Sequence, residues 1–136
     1  MCRLGQEQAI AGSSSTPGHG AYRVVNSSKD TVLAHRAGKV DTPVSRGIGL
    51  IGRKGLAEGA GLIIQPCNSV VSLFMRFTID VVFVDGDSMV CHVMHSMPPW
   101  RTSKIVRGSK LVVELPAGTA KATNTAAGDQ IDIQEA

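Results

Sequence analysis

The sequence predicts a small α+β domain that is mainly antiparallel β, with a curled or barrel-like sheet and one or two short helices. Three observations lead to this fold class. A length of 136 residues suits a single domain. The 15 glycines and 6 prolines imply many tight turns, which favours short strands over long helices. Finally, 43% of the residues are hydrophobic and 18% are charged, so the chain can bury a core.

The N-terminal part of the chain divides into a tail and the start of a sheet. The Ser, Gly and Pro content of residues 13–20 offers little to bury, so residues 1–20 are predicted to be a flexible tail and residues 21–136 a single globular domain. Tyr22 to Val25 and Thr31 to Ala34 are strand candidates separated by a turn. A first hairpin is therefore predicted here.

A short helix is predicted after this hairpin. Asp41 and Thr42 are good capping residues, and Pro43 is favourable in the first helical turn. Val44, Ile48 and Ile51 would share one face before the helix ends near Gly52.

Two continuous apolar runs follow, Leu62 to Ile64 and Val81 to Val84. Runs of this length that are rich in β-branched residues indicate strands that are covered on both faces. Asp85 to Asp87 is a turn, and Met89 to Met94 returns from it. The second run and this returning segment therefore predict a hairpin.

The C-terminal third shows alternating patterns. Leu111 to Leu115 and Gln130 to Ile133 alternate between apolar and polar residues, which predicts strands with one apolar and one more polar face. Between them, Gly118 to Thr125 is rich in Ala and Thr and suits one or two turns of helix.

The charge pattern argues against a nucleic-acid-binding protein. The formal net charge is +3, but the surplus lies in residues 1–60, and no basic run is longer than the pair Arg53 and Lys54. The pattern therefore favours a solvated surface with a mild positive bias over a surface that binds nucleic acid.

The cellular compartment and the cofactor expectation are inferred from motifs that the sequence does not contain. Cys2, Cys67 and Cys91 show neither a zinc-finger spacing nor a disulfide framework. The N-terminus lacks the apolar region of a signal peptide, and no apolar run is long enough to span a membrane. We therefore expect a cytoplasmic protein with no membrane partner. Without a P-loop or a dinucleotide-binding context we expect no cofactor.

The grouping of Cys91, His92 and His95 invites a metal-binding interpretation. On a regular strand, Cys91 and His95 share a face about 13 Å apart, while His92 points the other way. Three ligands arranged in this way cannot hold one ion. We therefore expect no metal site.

Several segments together resemble a known family. They are Arg46 with Gly49 to Arg53, Met75 to Phe83, Pro98 to Arg101, Val113 to Gly118, and Gly128 with Asp129. Their order and spacing are similar to those of the domain of unknown function family 192, also called uncharacterised protein family 0127. The resemblance implies a compact, mainly β fold and no established activity.

Two positions depart from the pattern of this family. Relatives commonly have Pro where this chain has Thr78, and many have His where it has Val71. Losing the proline removes a fixed φ from the bend before Asp80. If the histidine is catalytic in relatives, this chain should be inactive or divergent.

Asp80 is an unusual acid because it precedes an apolar run. A carboxylate there must be paired or hydrogen-bonded, or its pKa will rise. Arg53, Arg76 and Arg101 are available partners, and Glu114 is a second acid between apolar neighbours. The two acids either anchor loops or line a polar cleft in which Arg side chains bind an anionic ligand.

Three functions remain open from the sequence. The first is an accessory or small-ligand-binding protein with an Arg/Asp-lined cleft for a small anionic molecule. Its candidate ligand-binding residues are Arg53, Asn68, Met75, Arg76, Asp80, Trp100 and Glu114. The second is a hydrolase or lyase in which Asp80 or Glu114 is the general base. The third is weak nucleic-acid binding through the basic N-terminal half, which would show a steep dependence on salt.

Overall fold

A computed structural model describes residues 21–40, 56–71 and 76–135, together with the main chain of Cys2–Arg3. Within these residues the strands are β1 (Cys2–Arg3), β2 (Tyr22–Asn26), β3 (Thr31–Val40), β4 (Ala60–Ile64), β5 (Val70–Val71), β6 (Ile79–Asp85), β7 (Val90–Met97), β8 (Ser109–Pro116) and β9 (Ile131–Glu135). The helix α1 spans Thr119–Ala122.

The prediction of a mainly β domain is confirmed. The predicted hairpins form as β2–β3 and β6–β7, both antiparallel. The Ala- and Thr-rich segment contains the four-residue helix α1, so the described residues are mainly β and not clearly α+β. The helix predicted from Asp41 to Gly52 lies outside the described residues.

Seven strands form one sheet in the order β7-β6-β8-β4-β3-β2-β9. The neighbours β3 and β4 are parallel, and the other neighbours are antiparallel. The two outer strands meet at one end, where Met89 bridges Gln130 and the amide of Val90 donates to the carbonyl of Asp129 over 2.8 Å. The sheet is therefore curled, as the sequence predicts.

Apolar side chains pack on both faces of this sheet. One core, which we call the first core, includes Leu62, Val81 and Phe83. The second core includes Ile63 and Val82. Successive residues of β4 and β6 thus enter different cores, which explains why these runs are continuously apolar.

The pattern of β8 is less simple than its sequence indicates. The alternation predicts a more polar face, but residues 112–115 are all fully buried. Glu114 therefore lies inside the domain and not on a solvated face. β8 lies between β6 and β4 near the middle of the sheet, so elements pack against both of its faces.

The turn between β6 and β7 is shaped by one side chain. Asp85 Oδ1 accepts hydrogen bonds from the amides of Asp87 at 2.8 Å and Met89 at 3.0 Å. Ser88 has a φ of 66°. An aspartate that accepts from the following amides is a common way to close such a turn.

The predicted tail is described only at Cys2–Arg3, which pairs in parallel with Val70–Val71. Residues 4–20 lie outside the described part of the chain, so the expectation that residues 1–20 are flexible stays a prediction. Cys67 is disulfide-bonded, contrary to the expectation of no disulfide.

Among the described residues, no helix has the length and apolarity to cross a bilayer.

Candidate functional site

Asp80 is a fully buried carboxylate in β6. Its Oδ1 accepts a hydrogen bond from the amide of Ser96 at 2.8 Å. Its Oδ2 accepts one from the amide of Ala120 at 2.9 Å. Among the described residues, main-chain amides are therefore its partners, and no guanidinium group contacts it. The carboxylate ties the end of β7 and the first turn of α1 to the middle of the sheet.

Glu114 is also fully buried, but it lies on the other face of the sheet. Its register partners are Leu62 in β4 and Val81 in β6, and both belong to the first core. The partner of Asp80 is Leu115, which belongs to the second core. Because side chains alternate along a strand, Asp80 and Glu114 project from opposite faces. The structure does not bring these two acids together.

The other candidate residues are placed differently. Asn68, Arg76 and Trp100 are exposed. Arg53 and Met75 lie outside the described residues. Thr78, where relatives commonly have Pro, is half-buried just before β6. The predicted set is thus divided between two buried acids and a group of exposed side chains.

Asn68 and Trp100 belong to two segments that are hydrogen-bonded to each other. We call residues 98–108 the basic loop. The amide of Val106 donates to the carbonyl of Asn68, and the amide of Ser103 donates to the carbonyl of Val70, each over 2.8 Å. The amide of Val70 donates in return to Ser103 Oγ at 2.9 Å. These bonds attach the basic loop to the segment before β5.

The exposed side chains of the basic loop are unusual for the described surface. Trp100 and Ile105 are 55% and 64% exposed. Among all the described residues, they are the two large hydrophobic residues that are exposed. The cations Arg101, Lys104 and Arg107 are exposed beside them. The loop therefore presents apolar and basic groups together.

His92 and Cys91 lie near this loop, on β7. The pairing of β6 with β7 shifts register between Phe83 and Val84, so Cys91 has no register partner. The ring of His92 lies 5.6 Å from that of Phe83, and Cys91 packs against the first core, to which Phe83 belongs. The regular alternation of side-chain direction that was predicted for Cys91, His92 and His95 therefore fails in this part of β7. Among the described residues, no group of three or more potential ligands could hold a metal ion.

The titration of His92 reports on its surroundings. Burial lowers the pKa of its imidazole, and electrostatic interactions with Lys104 and with His95 lower it further. Burial raises the pKa of the neighbouring Cys91 thiol, and the charge of Asp85 adds to that effect. Lys104 is thus close enough to His92 to affect its charge.

A second polar cluster was not found from the sequence. Asn26 is fully buried, and its Nδ2 donates to Asp129 Oδ2 at 2.9 Å and to Thr125 Oγ1 at 3.2 Å. Lys29 forms an ion pair with Asp129 at 3.0 Å. We call Asn26, Lys29, Thr125 and Asp129 the Asp129 cluster. The one sequence signal was the position of Asp129 at the end of the family resemblance.

Opposing effects act on the carboxyl group of Asp129. Burial by itself raises its pKa. The hydrogen bonds from Asn26, Ala126 and Lys29, together with the charge of Lys29, outweigh burial and hold the pKa below its ordinary value. The cluster connects the β2–β3 turn to the segment before β9, so its geometry indicates a structural role.

Sequence comparisons find one family and two relatives that are similar to this chain. The profile of a family described as uncharacterised ACR matches residues 24–133. A UPF0127 protein of Pyrococcus abyssi is 28% identical over 115 residues, which cover 80% of this chain and 95% of that protein. A UPF0127 protein of Pyrococcus furiosus is 36% identical over 64 residues, which cover 47% of this chain and 54% of that protein.

Two crystal structures are similar in fold. A protein of unknown function from Novosphingobium aromaticivorans matches with a TM-score of 0.74 and 19% identity, covering 91% of each chain. A protein from Sinorhizobium meliloti, described as a candidate transcription regulator, matches with a TM-score of 0.66 and 21% identity over 82% of this chain and 91% of that one. At these identities the matches establish the fold alone.

Proposed function

The chain belongs to the DUF192 family, and from that premise we propose that it is an accessory binding domain for a small anionic molecule. The proposed contact surface is the basic loop with Asn68, whose carbonyl accepts a hydrogen bond from that loop. The observation that carries the proposal is the charge of one stretch of the chain. Residues 88–113 contain four Lys or Arg residues and no Asp or Glu.

The cations of this stretch are available to a ligand. Lys104, Arg107 and Lys110 are exposed, and none of them forms an ion pair with another described residue. Burial is the larger cause of the lowered pKa of His92, and Lys104 of this loop adds to it. A group of exposed cations favours a ligand of the opposite sign.

The basic loop is also held in place. Ser103 and Val106 are buried and are hydrogen-bonded to Val70 and Asn68. The neighbouring side chains are thereby directed to solvent from a fixed main chain. A fixed arrangement reduces the conformational entropy that is lost when a ligand binds.

Trp100 adds an apolar element to this surface. The residue is 55% exposed, and its main chain has a φ of 64°. An exposed indole beside cations suits an anion that also carries a flat or apolar part, since the ring offers a stacking face while cations contact the charge.

The catalytic alternative receives less support from the geometry. Both oxygens of Asp80 already accept main-chain hydrogen bonds in the interior, and a general base must reach the substrate proton. Glu114 is buried on the opposite face. The two acids therefore cannot act on one substrate together.

The proposal can be tested by titration at low salt. Trp100 is the only tryptophan of the chain, so its fluorescence reports on this surface alone. We expect pyrophosphate and adenosine monophosphate to change the Trp100 emission saturably. Replacing two cations, in Lys104→Gln/Arg107→Gln, should weaken binding by about five- to tenfold, as loss of two exposed charge contacts implies.

The matched control is a double variant that loses the same net charge outside the basic loop. Arg23→Gln/Lys121→Gln removes two exposed cations from β2 and α1 and should leave the affinity nearly unchanged. Equal losses in both double variants, or no saturable change with either anion, would overturn the proposal. Binding of a single-stranded oligonucleotide alone, with a steep salt dependence, would instead support the nucleic-acid alternative.

A further inference from the structure

A groove lies between α1, the start of β4 and the strand β3, away from the basic loop. It consists of three adjoining cavities of about 320, 280 and 380 Å³. Glu58 lines all three. Sites for small molecules begin at about 300 Å³, so the groove has room for a molecule the size of an amino acid.

Glu58 is the residue that the three cavities share. The side chain is exposed, and among the described residues it forms no ion pair and accepts no hydrogen bond. A carboxylate at the junction of three cavities favours a ligand with a positively charged group at that point.

The three cavities differ in chemistry. The first is lined by Leu33, Thr119 and Ala122 among others, so it presents a small hydroxyl on an apolar wall. The second contains Arg36 and His35, which favour a negatively charged group. The third contains Leu56, Pro116 and Ala117, which favour an apolar group. Glu58 borders each of them.

The walls of the groove are held by hydrogen bonds. The amides of His35 and Arg36 both donate to the carbonyl of Gly59, at 2.8 and 3.0 Å. Thr31 Oγ1 donates to the carbonyl of Thr123 at 2.9 Å, which fixes the end of α1 against β3. Asp80 holds the beginning of α1 through Ala120. These hydrogen bonds hold β3, Gly59 and α1 in place around the groove.

We propose that this groove binds a zwitterionic α-amino acid with an aliphatic side chain. The ammonium group contacts Glu58, the carboxylate contacts Arg36 beside His35, and the side chain packs along Leu56 and Pro116. The site shares no residue with the surface of the proposed function, so either proposal can fail without the other.

The test uses L-leucine and two analogues that each lack one charge. The analogues are 3-methylbutylamine, without the carboxylate, and 4-methylpentanoate, without the ammonium group. Binding is followed by the amide resonances of Glu58, Gly59, Thr119 and Ala122 in the full chain. We expect L-leucine to shift these resonances saturably and to bind more tightly than either analogue.

Two substitutions separate the proposed contacts. Glu58→Gln should weaken the binding of L-leucine and of 3-methylbutylamine by about fivefold, which is the upper range for an exposed charge pair. It should leave the binding of 4-methylpentanoate unchanged. Arg36→Gln should weaken the binding of L-leucine and of 4-methylpentanoate and should leave the binding of 3-methylbutylamine unchanged. Because both side chains are exposed, neither substitution should disturb the fold.

Matched controls replace exposed charges elsewhere, Glu135→Gln for the acid and Arg23→Gln for the base. These variants should bind L-leucine like the parent. No shift of the groove resonances up to the solubility limit of leucine would overturn the proposal. So would equal affinities of Glu58→Gln and Glu135→Gln for L-leucine.

Discussion

Asp80 in β6 and Ala120 in α1 are joined by a buried hydrogen bond of 2.9 Å from the helix amide to the carboxylate. The two residues are 40 positions apart in the chain. The other carboxylate oxygen accepts from Ser96. One side chain thus positions a strand end and a helix that also forms a wall of the groove around Glu58.

The variant Asp80→Asn should be less stable than the parent by about 1–3 kcal/mol. The amide keeps the shape of the side chain, but its NH2 group faces a main-chain donor and leaves that donor unsatisfied. Urea denaturation measures the change. Asp87→Asn, an exposed aspartate in the β6–β7 turn, is the matched control and should be nearly neutral. An Asp80→Asn protein as stable as the parent would contradict the anchoring role.

Acid should destabilise the protein partly through Asp129. Its pKa is lower in the folded chain than its ordinary value. Its contribution to stability is therefore present above the ordinary value of about 3.9 and is lost as the pH falls through the folded value. The variant Asp129→Asn should be less stable at pH 7 and should lose less further stability below pH about 4. Denaturant titrations at several pH values test this, with Asp132→Asn as an exposed control.

The variant Lys104→Gln should raise the pKa of His92. The charge of Lys104 is one cause of its lowered value, and removing a nearby positive charge favours the protonated imidazole. Burial remains the larger cause, so the pKa should stay below the ordinary value of about 6.5. NMR titration of the imidazole resonances measures it. An unchanged His92 pKa in Lys104→Gln, with Lys121→Gln as control, would show that the loop lies farther away than the structure indicates.

The variant Gly61→Ala should lower stability by about 1–2 kcal/mol. A Cβ at this buried position would lie 3.1 Å from the carbonyl oxygen of Glu114 and from a methyl group of Leu115. Because the first contact is main chain in a central strand, it cannot move aside easily. At Gly86 the nearest atom is 3.6 Å away on the flexible side chain of Lys110, so Gly86→Ala should be close to neutral in the same thermal melts.

With a reducing agent present, so that the disulfide of Cys67 contributes to neither chain, deleting residues 1–20 should change Tm by no more than about 2 °C, because their composition offers little to bury. The parallel pairing of Cys2–Arg3 with Val70–Val71 is the feature that this experiment examines. Calorimetry of the shortened and full chains measures the difference. A drop of many degrees would show that the N-terminal segment is part of the folded domain and not a tail.

The sequence alone predicted segments of all the strands in the seven-stranded sheet, but neither β1 nor β5. Leu62 to Ile64 and Val81 to Val84 are apolar at every position, and this pattern correctly indicated burial on both faces. The position of Asp80 directly before the second run also indicated that protein groups must form hydrogen bonds with its carboxylate. Such inferences succeed because apolar periodicity and the cost of burying a charge depend on local sequence.

Only the tertiary structure decided which side chains meet. Asp80 and Glu114 face different cores because of the register between β6 and β8, and a shift of one residue would place them on the same face. Similarly, the register shift near Cys91 changes the direction in which side chains of β7 point. The pairing of Asn26 with Asp129 joins positions 103 residues apart. Register and long-range pairing arise from the packing of the whole sheet, so no local pattern of residues encodes them.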